Sequence, residues 1–220
     1  ASFDFCAASE GGVIYISGDN AVIDKSTFTH SSAWNDGGAI YIAGDNVIIS
    51  NSSTILNNAT NHGGSLYVAG NNTQIIGSSF EKCSSVNLDG GAIYISGLNT
   101  TISDSYFNRN SANGTNTKGG SIFIEGEGTK VSGSTFEMCI ATNGGVMYID
   151  GDNVVVDNST FTYSSAFNNA GALYVAGDNA VISGSAFDYN NATNYGGSIY
   201  IEGDNTQIID DSFSRCSVND

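Results

Sequence analysis

Four cysteines are the side chains of this sequence best suited to covalent chemistry. Each follows a phenylalanine by three residues, so all four occupy one position of a recurring pattern. Such thiols either form disulfides or act as small buried side chains without chemistry. Both interpretations stay open for Cys6, Cys83, Cys139 and Cys216.

A recurring Gly-Asp-Asn tripeptide places carboxylates at a second fixed position. Carboxylates are calcium ligands, so a row of them could hold Ca²⁺ weakly. Gly, Asp and Asn are also the residues that a tight turn favours, because they tolerate positive φ. We favour the turn, keep weak calcium binding as the alternative and predict no other cofactor. The carboxylates concerned are Asp19, Asp45, Asp152, Asp178 and Asp204.

Acid–base catalysis is not predicted from the remaining acids and histidines. A polysaccharide-cleaving enzyme needs clustered carboxylates in a cleft, whereas successive repeats differ by insertions of only one to three residues. Glu125 and Glu202 share a position of the pattern, but the glutamates form no evident pair. His30 and His62 occupy different positions and resemble surface residues. We predict that the protein is not an enzyme.

A row of aromatic residues recurs at a third position. It could bind glycans by stacking, or it could pack against protein. An exposed ladder of eight aromatic rings would exceed the apolar patches of ordinary monomers, so a partner surface is predicted and protein packing is favoured. The row consists of Tyr15, Tyr41, Tyr67, Tyr94, Phe123, Tyr148, Tyr174 and Tyr200.

The composition excludes several partners. The formal net charge is −16 and only six residues are Lys or Arg, so phosphate-rich nucleic acid is not an expected partner. No stretch approaches the ~20 apolar residues of a membrane span, and membrane insertion is not predicted. The chain contains no proline, as suits one built of ladder-forming strands. Abundant Asn, Ser, Thr and Gly with few Lys favour an extracellular location.

A repeat positions all of these side chains. A Gly-Gly pair, or Ala-Gly in one case, returns every 25 to 29 residues, which is the period of a solenoid or similar array. Each pair opens a β-rich run, a Gly-Asp-Asn turn follows, and a second extended run ends in Ser-x-Phe-x-x-Asn or a variant. Two or three short strands in about 26 residues predict one coil of an all-β, single-domain parallel β-helix. The pairs begin at residues 11, 37, 63, 90, 119, 144, 170 and 196.

Alternation along the strands assigns the core. In the first run, the residues on either side of the aromatic row face inward, as Ile40 and Ile42 do around Tyr41. In the second run a phenylalanine faces inward, and Thr54 replaces it once. The inward row is Phe3, Phe28, Phe80, Phe107, Phe136, Phe161, Phe187 and Phe213.

A longer period overlies the short one. Residues 2–87 resemble residues 135–220 at an offset of 133, which is five coils. The chain 1–220 is therefore interpreted as one solenoid of about 8.5 coils with a five-coil internal duplication.

The motifs Gly-Gly-Ala-Ile-Tyr-Ile and Phe-x-x-Asn resemble the adhesin-like repeats of methanogen surface proteins. They are also similar to repeats of chlamydial polymorphic outer-membrane proteins, and the methanogen tubular cell-sheath proteins are a further candidate group. The resemblance covers nearly the whole chain. It implies a right-handed parallel β-helix on a cell surface.

The ends and the cysteines lead to a prediction of self-association. No polar cap is recognisable at either end, and uncapped strands are templates for further pairing. Cysteines in neighbouring coils would lie about 4.8 Å apart, but no two cysteines of the chain occupy neighbouring coils. Stacking the last coil of one copy on the first of the next would bring Cys216 within disulfide reach of Cys6 of that copy.

Two functions follow. The first is an extracellular structural protein that assembles head to tail, through its uncapped ends, into a filament, ring or cell sheath. The second is an adhesin stalk or glycan-binding repeat region of a larger surface protein. A second copy of the chain and glycans are accordingly the predicted partners.

Overall fold

The computed structural model describes residues 1–218, and these residues contain strands and turns but no helix. The chain winds into successive coils, and all strand pairs are parallel and in line from one coil to the next. The predicted parallel β-solenoid with about 26 residues per coil is confirmed. Each full coil has four strands, however, and not the two or three expected.

Two of the four sheets have nine strands, and they lie next to each other in each coil. Sheet 1 consists of Ser2–Asp4, Thr27–Thr29, Ser53–Ile55, Ser79–Glu81, Tyr106–Asn108, Thr135–Glu137, Thr160–Thr162, Ala186–Asp188 and Ser212–Ser214. Sheet 2 consists of Ala7–Ala8, Ser32–Ala33, Asn58–Ala59, Ser84–Ser85, Ser111–Ala112, Ile140–Ala141, Ser165–Ala166, Asn191–Ala192 and Ser217–Val218.

The other two sheets have eight strands, so the chain makes eight full coils and a further half coil. Sheet 3 consists of Ile14–Ile16, Ile40–Ile42, Leu66–Val68, Ile93–Ile95, Ile122–Ile124, Met147–Ile149, Leu173–Val175 and Ile199–Ile201. Sheet 4 consists of Val22–Asp24, Ile48–Ser50, Gln74–Ile76, Thr101–Ser103, Lys130–Ser132, Val155–Asp157, Val181–Ser183 and Gln207–Ile209.

Left-handed residues form the corners between the strands. The second extended run divides into strands of sheets 4 and 1 because one residue between them has positive φ, as at Lys25 (φ 47°). Another lies between sheets 1 and 2, as at Phe5 (φ 53°). Positive φ is unfavourable for residues other than glycine. A ladder bond offsets part of that cost, since the Lys25 N–H donates to Ser50 O at 3.1 Å.

The core is a set of in-line stacks that fills the interior of the solenoid. The phenylalanine rings stack face to face, with Phe107 lying 4.9 Å from Phe80 and 4.7 Å from Phe136 between ring centroids. The side chains of Ile40 and Ile42 are at most 1% exposed. The predicted inward rows are confirmed. Their members in the first and last described coils are more exposed, because no further coil covers them within residues 1–218.

A serine row explains the first letter of the Ser-x-Phe motif. The Ser52 hydroxyl accepts the Ser26 N–H at 3.2 Å and donates to Ser50 O at 2.8 Å. The same pattern continues through the stack at Ser78, Ser105, Ser134, Ser159 and Ser185. Buried polar groups need such partners, so this row satisfies backbone groups at a corner that the sheets leave unpaired.

Candidate functional site: the cysteine row, the surface ladders and the stack ends

The cysteines lie in an inward-facing row at the corner between sheets 1 and 2. Cys83 and Cys139 are fully buried, Cys6 and Cys216 are half-buried, and all four are free thiols. Asparagine and serine fill the row elsewhere. Asn110 Oδ1 accepts the Cys83 N–H at 2.9 Å, and Asn110 Nδ2 donates to Phe80 O at 3.0 Å. Because Cys83 and Cys139 are fully buried, a disulfide from either residue to another chain would require the stack to open, and both interpretations stay predictions.

Burial controls the acidity of these two thiols. Desolvation raises the pKa of Cys83 to about 11 and that of Cys139 to about 12. A pKa raised by folding means that the fold favours the neutral thiol. Its contribution to stability is therefore complete below the ordinary thiol pKa of 9.0 and is lost as the pH rises through 11 to 12.

We expect only two of the four thiols to react with an aromatic disulfide reagent in the freshly reduced, unassembled native protein at pH 8, and all four after denaturation. The thiolate is the reactive form, and burial withholds it at Cys83 and Cys139. Counting released thiolate by absorbance makes the measurement. Replacing both residues by serine, which already fills this row at Ser31 and Ser164, is the control and should leave the native count at two. A native count of four would contradict the buried row.

The Gly-Asp-Asn carboxylates act in the turns. Asp45 N–H donates to Asp19 Oδ1 at 2.8 Å, and the Asp178 and Asp204 amides repeat this with the aspartate of the preceding coil. The following asparagine has positive φ, as at Asn46 (φ 56°). Within residues 1–218, no three His, Cys, Asp or Glu side chains are grouped to hold a metal ion. The turn interpretation therefore has a structural basis at every one of these positions, and weak calcium binding stays a prediction without a preformed site.

The aromatic row forms a continuous ladder on the outer face of sheet 3. Successive centroids lie 4.4 to 5.6 Å apart, and the rings from Tyr15 to Tyr94 are within 8° of parallel. Each ring therefore covers the faces of its neighbours, and interior rings present only their edges. A sugar stacks on a ring face, so the stacked interior rings offer little surface to a glycan, and glycan contact at this row stays a prediction.

Neighbouring side chains cover the middle of the ladder. Tyr94, Phe123, Tyr148 and Tyr174 are at most 9% exposed, whereas Tyr15 is 52% exposed. Lys118 Nζ lies 4.5 Å from the Tyr148 ring centroid and 5.7 Å from that of Phe123. The packing partner predicted for this row is thus largely the chain itself.

Acidic residues lie beside the ladder and raise the pKa of two of its tyrosines. The Tyr94 hydroxyl donates to Glu125 Oε2 at 3.0 Å. Burial is the main cause of the raised pKa of Tyr94, and the Glu125 carboxylate adds to it. Glu125 and Glu202, which share a position of the repeat, are both neighbours of tyrosines, since burial and then a hydrogen bond to Glu202 raise the pKa of Tyr174.

Both histidines pair with an aspartate of the preceding coil, which sequence reasoning missed. His30 Nδ1 lies 3.0 Å from Asp4 Oδ1, and His62 Nδ1 lies 2.9 Å from Asp36 Oδ1. The His62 ring also lies 4.5 Å from the Tyr94 ring centroid. The signal was available, because a spacing of 26 residues places side chains of adjacent coils next to each other.

The two ends of the described stack expose core side chains and amide groups. Phe213 is 48% and Ile208 45% exposed, whereas their equivalents Phe161 and Ile75 are fully buried. Thr27 N–H donates to Ala1 O, and Phe5 N–H donates to Thr29 O. Alternate residues of a strand point their amides in opposite directions, so the N–H and C=O groups of Asp4 point away from the rest of the chain. Each end is a backbone template with an apolar interior.

The coiled backbone and its in-line ladders define a β-helix repeat protein. The family model described as a right-handed beta helix region matches residues 120–219, which supports the handedness expected from the resemblance. No curated protein and no solved structure matches the chain. Residues 1–218 include no helix long and apolar enough to cross a membrane.

Proposed function

We propose that the protein is an extracellular structural protein whose copies extend one parallel β stack, coil on coil, into a polymer. The observation that carries the proposal is the state of the stack ends. Within residues 1–218, sheet 1 ends in strands whose outward amides lack partners, and the phenylalanine stack ends in a half-exposed ring at Phe213. A second copy offers the same strand type in the same register as the chain's own next coil.

Sheets 1 and 2 are the two sheets that can continue from one copy into the next, across the joint between the copies. Both contain nine strands, so the strand Ser212–Ser214 of one copy can receive Ser2–Asp4 of the next without a gap. The cysteine row lies between these two sheets. The joint would therefore place Cys216 one coil spacing, about 4.8 Å, from Cys6 of the next copy, within the Cα range of a disulfide. Sheets 3 and 4 would each lack one strand per copy at this joint.

Electrostatics set the conditions for assembly. Each chain carries a formal charge of −16, so copies repel one another at low ionic strength. At physiological ionic strength the Debye length is about 8 Å, and short-range backbone pairing and ring stacking then decide the outcome. Assembly should strengthen with salt.

Asp4→Pro is expected to abolish assembly and leave the fold intact. Proline removes the outward N–H and places its ring where the next strand would pair, and an edge strand tolerates this. Asp4→Ala is the matched control, because it removes the carboxylate that binds Thr29 and His30 but keeps the N–H. Sedimentation velocity at physiological salt makes the measurement. Polymer of undiminished size in Asp4→Pro would overturn the joint. Loss of dimers from non-reducing gels in Cys6→Ser would support the disulfide separately.

The proposal includes a place on the cell surface and a structural role without catalysis. Few lysines and abundant Asn, Ser, Thr and Gly support the extracellular location. A relationship to the repeats of methanogen surface proteins, or to those of the polymorphic outer-membrane proteins, rests on the sequence motifs. The alternative role as an adhesin stalk or glycan-binding region draws no support from the tyrosine ladder, because its ring faces are occupied by one another.

A further inference from the structure

Two aromatic side chains differ from all those in the ladders. Trp34 is 70% and Phe167 is 67% exposed. In the coils on either side, their position is filled by Ser9 and Thr60 around Trp34, and by Thr142 and Thr193 around Phe167. Within residues 1–218, neither ring stacks on another aromatic ring. Their ring faces are therefore open, unlike those of the tyrosines.

The two rings occupy equivalent places in the internal duplication. Each directly follows a strand of sheet 2, Ser32–Ala33 for Trp34 and Ser165–Ala166 for Phe167. They are five coils apart, which corresponds to about 24 Å along the stack. The outer face of sheet 2 between them consists mainly of small polar residues. Its outward residues are Ser32, Asn58, Ser84, Ser111, Ile140 and Ser165.

An asparagine accompanies each ring. Asn35 Nδ2 donates to Ser9 Oγ at 3.1 Å, and Asn168 Nδ2 donates to Asn143 Oδ1 at 2.9 Å. An amide side chain has two donor hydrogens and a carbonyl oxygen, so both keep hydrogen-bonding capacity for a ligand. An open apolar ring face beside uncharged amide groups is the combination that recognises a pyranose, whose C–H face packs on the ring and whose hydroxyls bond to amides.

A protein partner fits this arrangement less well. The residues that dominate protein interfaces cluster near one centre and exclude water together, whereas Trp34 and Phe167 are about 24 Å apart with polar residues between them. An anionic glycan is also disfavoured, because the chain carries a net charge of −16 and would repel it.

We propose that Trp34 and Phe167 are two subsites for sugar units of one neutral, linear glycan lying along sheet 2. Occupying both subsites with one chain makes the second contact intramolecular, which raises the overall affinity. This site is separate from the stack ends and does not depend on assembly.

Trp34 is the only tryptophan, so its fluorescence reports directly on one subsite. The experiment titrates neutral hexose and N-acetylhexosamine oligosaccharides of two to eight units into the full chain in the Asp4→Pro background. We expect a shift of the emission, and at least tenfold tighter binding for oligomers that span both subsites than for short ones. Phe167→Ala should remove this tenfold advantage while keeping the fluorescence response.

The controls separate a glycan site from other interpretations. Leu98→Ala changes a 45% exposed side chain in the turn between sheets 3 and 4, away from sheet 2, and should leave binding unchanged. Trp34→Ala, followed by calorimetry, should lose the long-oligomer advantage as Phe167→Ala does. No response to any oligosaccharide up to millimolar concentration would overturn the proposal. So would an emission shift that grows with protein concentration alone, since it would assign Trp34 to a contact between copies.

Discussion

Gly120→Ala is expected to destabilise the fold by about 4 kcal/mol or more, the range reached only by severe core or backbone disruption. A Cβ at Gly120 would lie 2.1 Å from Gly145 O and 2.5 Å from Ile140 O. Both atoms belong to the backbone of the next coil, so relief requires the coils to move apart. The second glycine of each pair has this close approach, and all eight coils keep it as glycine.

The neighbouring substitution Gly119→Ala is the matched control. Gly119 has φ +67°, a conformation that costs other residues about 1 to 2 kcal/mol, and a Cβ there would lie 2.1 Å from Ile122 O of its own coil. The chain itself places alanine at the equivalent position, Ala170, with φ 61°. Urea unfolding followed by circular dichroism should separate the two variants clearly. Ala170 shows that this turn can accommodate a Cβ within its own coil, so equal losses in both variants would contradict the interpretation that contact with the next coil requires glycine at position 120.

Phe107→Ala is expected to cost about 3 to 5 kcal/mol. The ring is fully buried and stacks on Phe80 and Phe136, so alanine leaves a gap in the central stack that rigid β coils cannot close. Chemical unfolding again measures the loss. Phe167→Ala removes the same side chain from an exposed position and should change stability by less than about 0.5 kcal/mol.

Thr54 shows that the stack tolerates one interruption when the neighbours adapt. It is buried where other coils have phenylalanine, and its hydroxyl donates to Ser79 O at 3.3 Å and lies 3.7 Å from Cys83 Sγ. Alanine at Phe107 offers neither volume nor a hydrogen bond. A loss below about 1 kcal/mol in Phe107→Ala would mean that the stack contributes little.

The architecture could be predicted from the sequence because the repeat is local and frequent. Spacing between Gly-Gly pairs gives the coil, and alternation around Tyr41 gives the inward faces of Ile40 and Ile42. The inward phenylalanines follow from the same logic. Each of these signals uses residue types that only one conformation or environment favours.

The four-strand coil was not predicted. At the corner between sheets 4 and 1, seven of the eight positive-φ residues are Gly, Asn or Asp, a signature that the sequence carried, whereas the corner between sheets 1 and 2 has none. Lys25, Leu56 and Tyr163 all have positive φ, although such residues normally avoid it. Stacking of adjacent coils imposes the conformation, and that information is not local. Face coverage in the tyrosine ladder escaped prediction for the same reason, since ring orientation depends on neighbours 26 residues away.

The candidate site could likewise be predicted only in part from the sequence. Burial of Cys83 and Cys139 followed from the repeat as one of two alternatives, and the structure places both thiols in the interior. The open faces of Trp34 and Phe167 become visible only when their position is compared across coils. That comparison was possible from the sequence, but it required knowing that the strand of sheet 2 ends just before them.

Cryo-electron microscopy of material formed by the full chain at physiological salt tests coil-on-coil assembly most directly. We predict filaments or rings in which the parallel ladder of sheet 1 continues from Ser212–Ser214 of one copy to Ser2–Asp4 of the next. Cys216 of one copy would then lie one coil spacing from Cys6 of the next copy. Monomers alone, or polymers in which copies associate side by side with both stack ends free, would contradict the proposed function.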